Sequence, residues 1–201
     1  MPITNKSEEY GSVDVLLENT RLSFPHLFTP SDFAGDGKDL KYEATFLVEE
    51  GDENFNAMKE AIKFVIQNKL KGKKPSADKI CMKDSSDKDL EGYGEGVYSV
   101  KARNKDKINV VDRDPSIRLD AEDGKPYAGC YVNAHIRVYG QDNQYGKRVN
   151  AVLQAVQFSK DGEPFGGGSA PDPTKLFGVV DGGGGGEGGG GSDEDEDDFL
   201  N

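Results

Sequence analysis

Aromatic and cationic side chains alternate with apolar ones along residues 129–139. Successive side chains of a β-strand point to opposite faces, so a strand here has one apolar and one polar face. The polar face contains no carboxylate and consists of Tyr131, Asn133, His135, Arg137 and Tyr139. Rings interleaved with cations can stack unpaired bases and hold phosphates. The alternative is an ordinary solvent-facing strand, in which β-propensity alone favours tyrosine.

Four tyrosines are candidates for base stacking. Tyr131 and Tyr139 lie on the polar face described above, and Tyr127 precedes the same strand. Tyr98 is a further candidate, although it has the strand phase of Val100, which places its ring on the inner side of its own strand.

Cations recur at every second residue from 101 to 107, so an extended segment would align them on one face. Such a row suits a sugar-phosphate backbone, whereas its alternative is a charged edge strand protected from aggregation. Three further cations lie near or within the later strands: Arg137, Lys147 and Arg148. Together with the row, the candidates for phosphate binding are Lys101, Arg103, Lys105, Lys107, Arg137, Lys147 and Arg148.

Period-two patterns predict the elements that must position these side chains. Strands are expected over residues 13–24, 42–48, 97–103, 108–112, 129–139 and 149–158, with a bend near Asn19 and a proline-bounded loop at 25–30. One helix is expected from Asp52 to about Lys71, closed by Gly72, and its apolar stripe would pack on a sheet as a lid. A small antiparallel barrel accounts for this order, and the OB-fold is the commonest such barrel that binds oligonucleotides.

A basic cluster follows the predicted helix and consists of Lys69, Lys71, Lys73 and Lys74. Lysines at a helix end often do no more than complement the helix dipole. Contact with phosphates is the alternative.

The 201 residues carry a net charge of −12, which at first sight argues against a nucleic-acid partner. Eight of the acids and no base lie in residues 181–201, so without this segment residues 1–180 have a net charge of −4. A DNA-binding surface on this body must therefore be a local patch. No window approaches 18 apolar residues and no signal peptide is recognisable, which predicts a soluble cytoplasmic protein with two reduced cysteines.

Composition divides the chain into three parts: a folded domain over 1–165, a glycine-rich flexible linker over 166–191 and an acidic tip over 192–201. The tip ends in an apolar hook, which a purely solubilising tail would not need. It predicts a partner-binding tail made of Asp193, Glu194, Asp195, Glu196, Asp197, Asp198 and Phe199. The tethered acids are also expected to compete with nucleic acid for a cationic groove, and a disordered solubility tail is the alternative.

The motif YAGCYVNA at 127–134, followed by VLQAVQF at 152–158, DGE at 161–163 and NVVD at 109–112, resembles a family of bacteriophage single-stranded-DNA-binding proteins. The resemblance covers about residues 12–165. It implies an OB-fold that coats single strands without sequence preference in phage replication, recombination and repair, in the host cytoplasm. It also implies an acidic tail that recruits replication or recombination proteins, although this chain adds Leu200 and Asn201 after the phenylalanine.

Two other classes of function remain as alternatives. A metal-dependent nuclease would use the loop carboxylates Asp112, Asp114, Asp120 and Asp123, but their spacing matches no known metal motif. An acidic-tailed chaperone or DNA mimic would bind basic proteins and no DNA. We expect a binding protein with no cofactor, no metal and no catalytic residues, and the sequence leaves its oligomeric state open.

Overall fold

The computed structural model describes residues 2–32, 35 and 37–166, which belong to a compact unit spanning Met1–Gly167. The predicted linker and acidic tip lie outside the described residues, apart from Gly166. In the described part, eight strands accompany one α-helix: β1 Ile3–Ser7, β2 Ser12–Ser31, β3 Lys41–Glu49, α1 Glu53–Asn68, β4 Met82–Asp84, β5 Val97–Asn104, β6 Asn109–Val111, β7 Tyr131–Asn143 and β8 Gly146–Lys160.

Five of the strands close into a barrel in the order β5-β3-β2-β7-β8. Neighbours are antiparallel except at the closure, where β5 meets β8 in parallel through Arg103 and Val152. The side-chain amide of Asn104 donates to the Leu153 carbonyl oxygen at 2.8 Å and joins the same two strands. This closed, mainly β architecture with one helix confirms the predicted OB-fold-like barrel.

Alternation along β7 is as predicted. Val132, Ala134, Ile136 and Val138 are fully buried, and the residues between them are partly or fully exposed. Matching apolar positions on β2, β3, β5 and β8 complete one core inside the barrel. The two cysteines form no disulfide, and burial raises the pKa of the Cys130 thiol to about 11, which keeps it protonated.

The helix α1 covers one part of this core, as expected. The Asp52 carboxylate caps its first turn by accepting a hydrogen bond from the Phe55 amide. Phe55, Met58 and Val65 are buried against the barrel core. No helix in the described ranges is long and apolar enough to cross a membrane.

The strand β2 differs from the prediction at its second half. It bends at Asn19, where φ is +50°, as the sequence indicated. It then continues through Pro25 and Pro30 to Ser31, so the expected loop at 25–30 is wrong. The pairing with β3 is irregular there, and a proline fits where the ladder needs no amide donor.

A second difference concerns the row of cations at 101–107. The strand β5 ends at Asn104, and residues 105–108 turn before β6. The extended segment that would have aligned all four cations is therefore shorter than predicted, because Asn104 is committed to the barrel closure.

Candidate nucleic-acid interface

A groove of about 940 Å³ lies on the outer face of the barrel. Its floor includes Thr45 of β3 and Ser99 and Lys101 of β5, and the β7–β8 hairpin contributes Asn143 and Tyr145. Among the five barrel strands taken in chain order, β3 and β5 are the second and third, and the hairpin joins the fourth and fifth. That face and that loop are where OB-folds bind oligonucleotides.

Cations dominate the lining of this groove. Of the residues that the structure describes, two carboxylates, Asp78 and Asp106, line it together with eight basic side chains: Lys41, Lys79, Lys83, Lys88, Lys101, Arg103, Lys105 and Arg148. The acidic body thus contains a local basic surface that can attract an anion.

Some of the basic side chains in the groove already form ion pairs with carboxylates of the protein, and others do not. Lys101 and Arg103 share the Glu43 carboxylate at 2.8 and 3.3 Å, and Lys41 pairs with Asp39 at 2.6 Å. Within the described part of the chain, no ion pair is formed by Lys79, Lys83, Lys105 or Arg148. These four cations need break no ion pair to bind a phosphate.

Four aromatic rings line the same groove: Phe24, Tyr93, Tyr139 and Tyr145. Phe24 is 55% exposed and Tyr145 is 70% exposed, so both present ring surface to solvent. The centroids of Phe24 and Tyr93 lie 6.4 Å apart, and Lys88 lies 5.0 Å from the Tyr93 centroid. Rings and cations therefore stand together, as stacking of unpaired bases requires.

The backbone at Phe24 has an unusual conformation. Its φ of +46° lies in the left-handed region that bulky side chains rarely adopt. The neighbouring Ser23 hydroxyl accepts a hydrogen bond from the Tyr93 hydroxyl at 3.0 Å, which ties the loop before β5 to this bulge. Strain of this kind clusters at functional sites, and here it holds an apolar ring in solvent.

Five of the predicted site residues line the groove, and the other predicted body residues lie outside its lining. Tyr139, Lys101, Arg103, Lys105 and Arg148 line it. Tyr131 lies eight residues before Tyr139 on β7, which at ~3.3 Å per residue puts the two about 26 Å apart.

Tyr131 packs against the segment that follows β8. Arg21 and Lys160 lie over its ring, at 5.5 and 4.4 Å from the centroid. Gly162 packs so closely that a Cβ there would lie 3.1 Å from a carbon of the Tyr131 ring. The local role of Tyr131 is to help dock this segment.

Two other predicted stacking residues also have structural partners. The Tyr127 hydroxyl donates to Asp161 and accepts from the Gly162 amide, and burial raises the pKa of that hydroxyl. The Tyr98 ring lies 4.7 Å from the ring of Phe55 in α1, on the inner side of β5 as its phase indicated.

The remaining predicted phosphate ligands lie outside the groove lining. Arg137 donates from Nε and Nη2 to the two carboxylate oxygens of Asp14, at 2.6 and 3.0 Å. These bonds hold the pKa of Asp14 below its usual value and raise the pKa of Arg137. Lys147 pairs with Asp142, and Lys107 is exposed in the turn after β5.

Comparison with known proteins identifies the family. The family model described as Enterobacter phage Enc34, ssDNA-binding protein, matches residues 13–181. The chain belongs to the Enc34 single-stranded-DNA-binding protein family. This membership confirms the family that the sequence motifs indicated.

Individual relatives agree with this membership. Putative protein p50 of Acyrthosiphon pisum secondary endosymbiont phage 1 is 40% identical over 164 residues, which cover 77% of this chain and 87% of that protein. The bacteriophage Enc34 single-stranded DNA-binding protein, solved in complex with ssDNA, is 29% identical with a TM-score of 0.64 and coverage of 82% of this chain and 97% of that one. Another structure of the Enc34 protein is 26% identical with a TM-score of 0.63, covering 88% and 99%.

Seven aromatic or basic residues of the groove were not predicted from the sequence: Phe24, Lys41, Lys79, Lys83, Lys88, Tyr93 and Tyr145. Phe24 looked like the end of a strand, and only a bulge turns its ring outward. Tyr93 and Lys88 belong to a turn-rich loop without periodicity, so no pattern assigned them a face. The one available signal was a tyrosine set between Gly92 and Gly94 in a loop next to a strand.

The loop carboxylates proposed for a nuclease have local structural roles. Asp112 pairs with Lys125 at 2.8 Å, and Asp114 accepts hydrogen bonds from Ser116. Asp120 and Asp123 form a capping box around one 3-10 turn. Within the residues that the structure describes, no group of three or more His, Cys, Asp or Glu side chains could hold a metal ion.

Proposed function

We propose that this protein binds single-stranded DNA without sequence preference, and that the groove on β3, β5 and the β7–β8 hairpin is its binding site. One observation carries the proposal: four rings and eight cations share the OB-fold face that binds oligonucleotides, in a chain of the Enc34 family. A solved structure of a relative, the bacteriophage Enc34 protein in complex with ssDNA, also supports this proposal.

The chemistry of the groove accounts for binding to any sequence. Lys79, Lys83, Lys105 and Arg148 bind phosphates, which every strand presents at a regular spacing. Bases stack on the rings of Phe24, Tyr93, Tyr139 and Tyr145. Stacking does not depend on sequence, because every base has a flat aromatic face. Bidentate side-chain contacts to base edges, which would select a sequence, are not needed for this mode of binding.

Replacement of the exposed ring at position 24 tests the site. Phe24→Ala should weaken oligo-dT binding by ~1–3 kcal/mol, or about 5- to 150-fold, since one stacked base is lost. Phe24→Tyr keeps a stacking ring and should bind like the unchanged chain. Fluorescence anisotropy with labelled oligo-dT measures both.

Ile117→Ala is the matched control, because Ile117 is exposed to a similar extent, 51%, and does not line the groove. Equal affinities of Phe24→Ala and Ile117→Ala would contradict the assignment of the groove as the binding site.

The same proposal extends to the tail and to the biological role. We propose that the protein coats and protects single strands during phage replication, recombination and repair in the host cytoplasm. The acidic tip with Phe199 would recruit other proteins of these processes and compete with DNA for the groove. A flexible tether can hold the tip at an effective concentration of ~mM, which makes such competition effective.

Truncation at Gly191 tests the competition. The chain without residues 192–201 should bind oligo-dT more tightly than the full chain at low salt, and the difference should shrink as salt screens the tip. Equal binding at every salt concentration would reject competition and leave recruitment as the role of the tip. Absence of DNA binding by both chains, with binding to basic proteins, would instead support the acidic chaperone or DNA mimic.

A further inference from the structure

A second pocket, of about 460 Å³, lies beside the groove. Residues of the β1–β2 hairpin form one side of it, the end of α1 provides Lys69, and β7 contributes Arg137, Tyr139 and Gly140. Tyr139 lines both the groove and this second pocket. The two sites are therefore neighbours across a single aromatic ring.

Lys69 is fitted closely into the fold beside this pocket. A Cβ on Gly11 would lie 2.8 Å from the Lys69 Cβ, and a Cβ on Gly140 would lie 2.8 Å from the Lys69 Cγ. Glycine at both positions leaves room for the aliphatic stem of the lysine. The fold thus fixes the base of a side chain that would otherwise be a loose surface lysine.

The charge of Lys69 is available to a ligand. Among the residues that the structure describes, no carboxylate lines the second pocket, and the Arg137 guanidinium beside it is already bound to Asp14. In the described ranges Lys69 forms no ion pair, and its neighbours Lys71, Lys73 and Lys74 are exposed. An anion entering here would meet the Lys69 ammonium group, and three more lysines follow within five residues.

An exposed ring completes the pocket. Tyr10 in the β1–β2 turn is 66% exposed, and Tyr139 is partly exposed on the opposite strand. Over the described part of the chain, neither hydroxyl forms a hydrogen bond that would commit its ring to the fold. A ring next to a cation is the pairing that also characterises the groove.

We propose that the second pocket is a subsite for a nucleotide that flanks the strand held in the groove. The strand passes over Tyr139, a base stacks on Tyr10, and Lys69 binds the adjoining phosphate. The subsite lies on the barrel face formed by β2 and β7, beyond the β3–β5 face. The inference rests on the proposed function, since it extends the path of the same strand.

A length series of oligo-dT tests this subsite, since OB-folds cover ~4–16 nucleotides each. Tyr10→Ala/Lys69→Gln should bind the shortest oligonucleotides as well as the unchanged chain does. On the longest ones it should bind at least about fivefold more weakly, because the flanking base and phosphate are lost. Ile117→Ala/Lys63→Gln is the matched control, since it removes one exposed apolar side chain and one exposed lysine elsewhere.

Photocrosslinking provides a second measurement that does not depend on affinity. Oligo-dT with 5-iododeoxyuridine at either end should crosslink to Tyr10 from one end only. Crosslinks confined to Phe24, Tyr93 or Tyr145 would overturn the subsite.

The Tyr10/Lys69 variant and the Phe24 variant test the subsite and the groove separately. If Tyr10→Ala/Lys69→Gln matches its control at every length while Phe24→Ala weakens binding, the subsite is wrong and the groove stands. If Phe24→Ala also binds normally, both assignments are wrong.

Discussion

Arg137 shows that a cation on a predicted binding face can be fully committed to the fold. Its guanidinium forms two hydrogen bonds with Asp14, which lies directly opposite on β2. Alternation along β7 predicts which way Arg137 points, but nothing in a single strand reveals the carboxylate on its neighbour. Partners across strands depend on register, and register requires the assembled sheet.

Phe24 and Tyr131 show the converse limits of residue-scale prediction. Tyr131 has the right residue type and phase, yet Arg21 and Lys160 already cover its ring. Phe24 has the phase of an ordinary strand residue, yet a backbone bulge turns it into solvent. Ring type and phase predicted Tyr139 as a groove residue, whereas the exposed rings of Phe24 and Tyr145 depend on the bulge and the hairpin.

Strand alternation and helix capping predicted most of the elements. The sequence predicted all five barrel strands and the helix, because each buries a periodic apolar face. It missed β1 and β4, which are short and contribute few buried side chains. It also ended the first barrel strand too early, since Pro25 and Pro30 ordinarily indicate a loop.

A close crossing of two segments holds the end of the folded body in place. Gly129 precedes β7 with φ of +99°, and a Cβ there would lie 2.1 Å from the carbonyl oxygen of Glu163. Arg21 reinforces the crossing by donating to the carbonyl oxygens of Gly129 and Glu163, at 3.2 and 2.8 Å. Its guanidinium also lies 4.3 Å from the centroid of Phe165.

Alanine at position 129 should therefore destabilise the protein strongly. Gly129→Ala combines backbone strain of ~1–3 kcal/mol with a steric clash against main-chain atoms, which cannot rotate away. Gly96→Ala is the matched control, since Gly96 also has a positive φ of +75° but has open space around its Cβ position. Denaturant unfolding should show a loss for Gly129→Ala at least ~1 kcal/mol larger than that for Gly96→Ala, and equal losses would contradict the close crossing.

At the scale of the whole molecule, positive charge is concentrated in one groove, whereas the chain as a whole is acidic. The net charge of −12 argues against DNA binding when it is taken as one number. Eight acids lie beyond residue 180, and eight basic side chains converge on a single groove of the body. A local field of this kind can attract a polyanion to a protein whose total charge is negative.

The salt dependence of oligo-dT binding tests the central claim most directly. We would compare Lys79→Gln/Lys83→Gln, which removes two unpaired cations of the groove, with Lys59→Gln/Lys63→Gln, which removes two exposed lysines of α1 outside it. If both groove lysines bind phosphates, the negative slope of log affinity against log salt should become less steep by about 1.4 in the first variant and stay unchanged in the second. Equal slopes for the two variants, or no salt-dependent binding by the full chain, would contradict binding of single-stranded DNA in this groove.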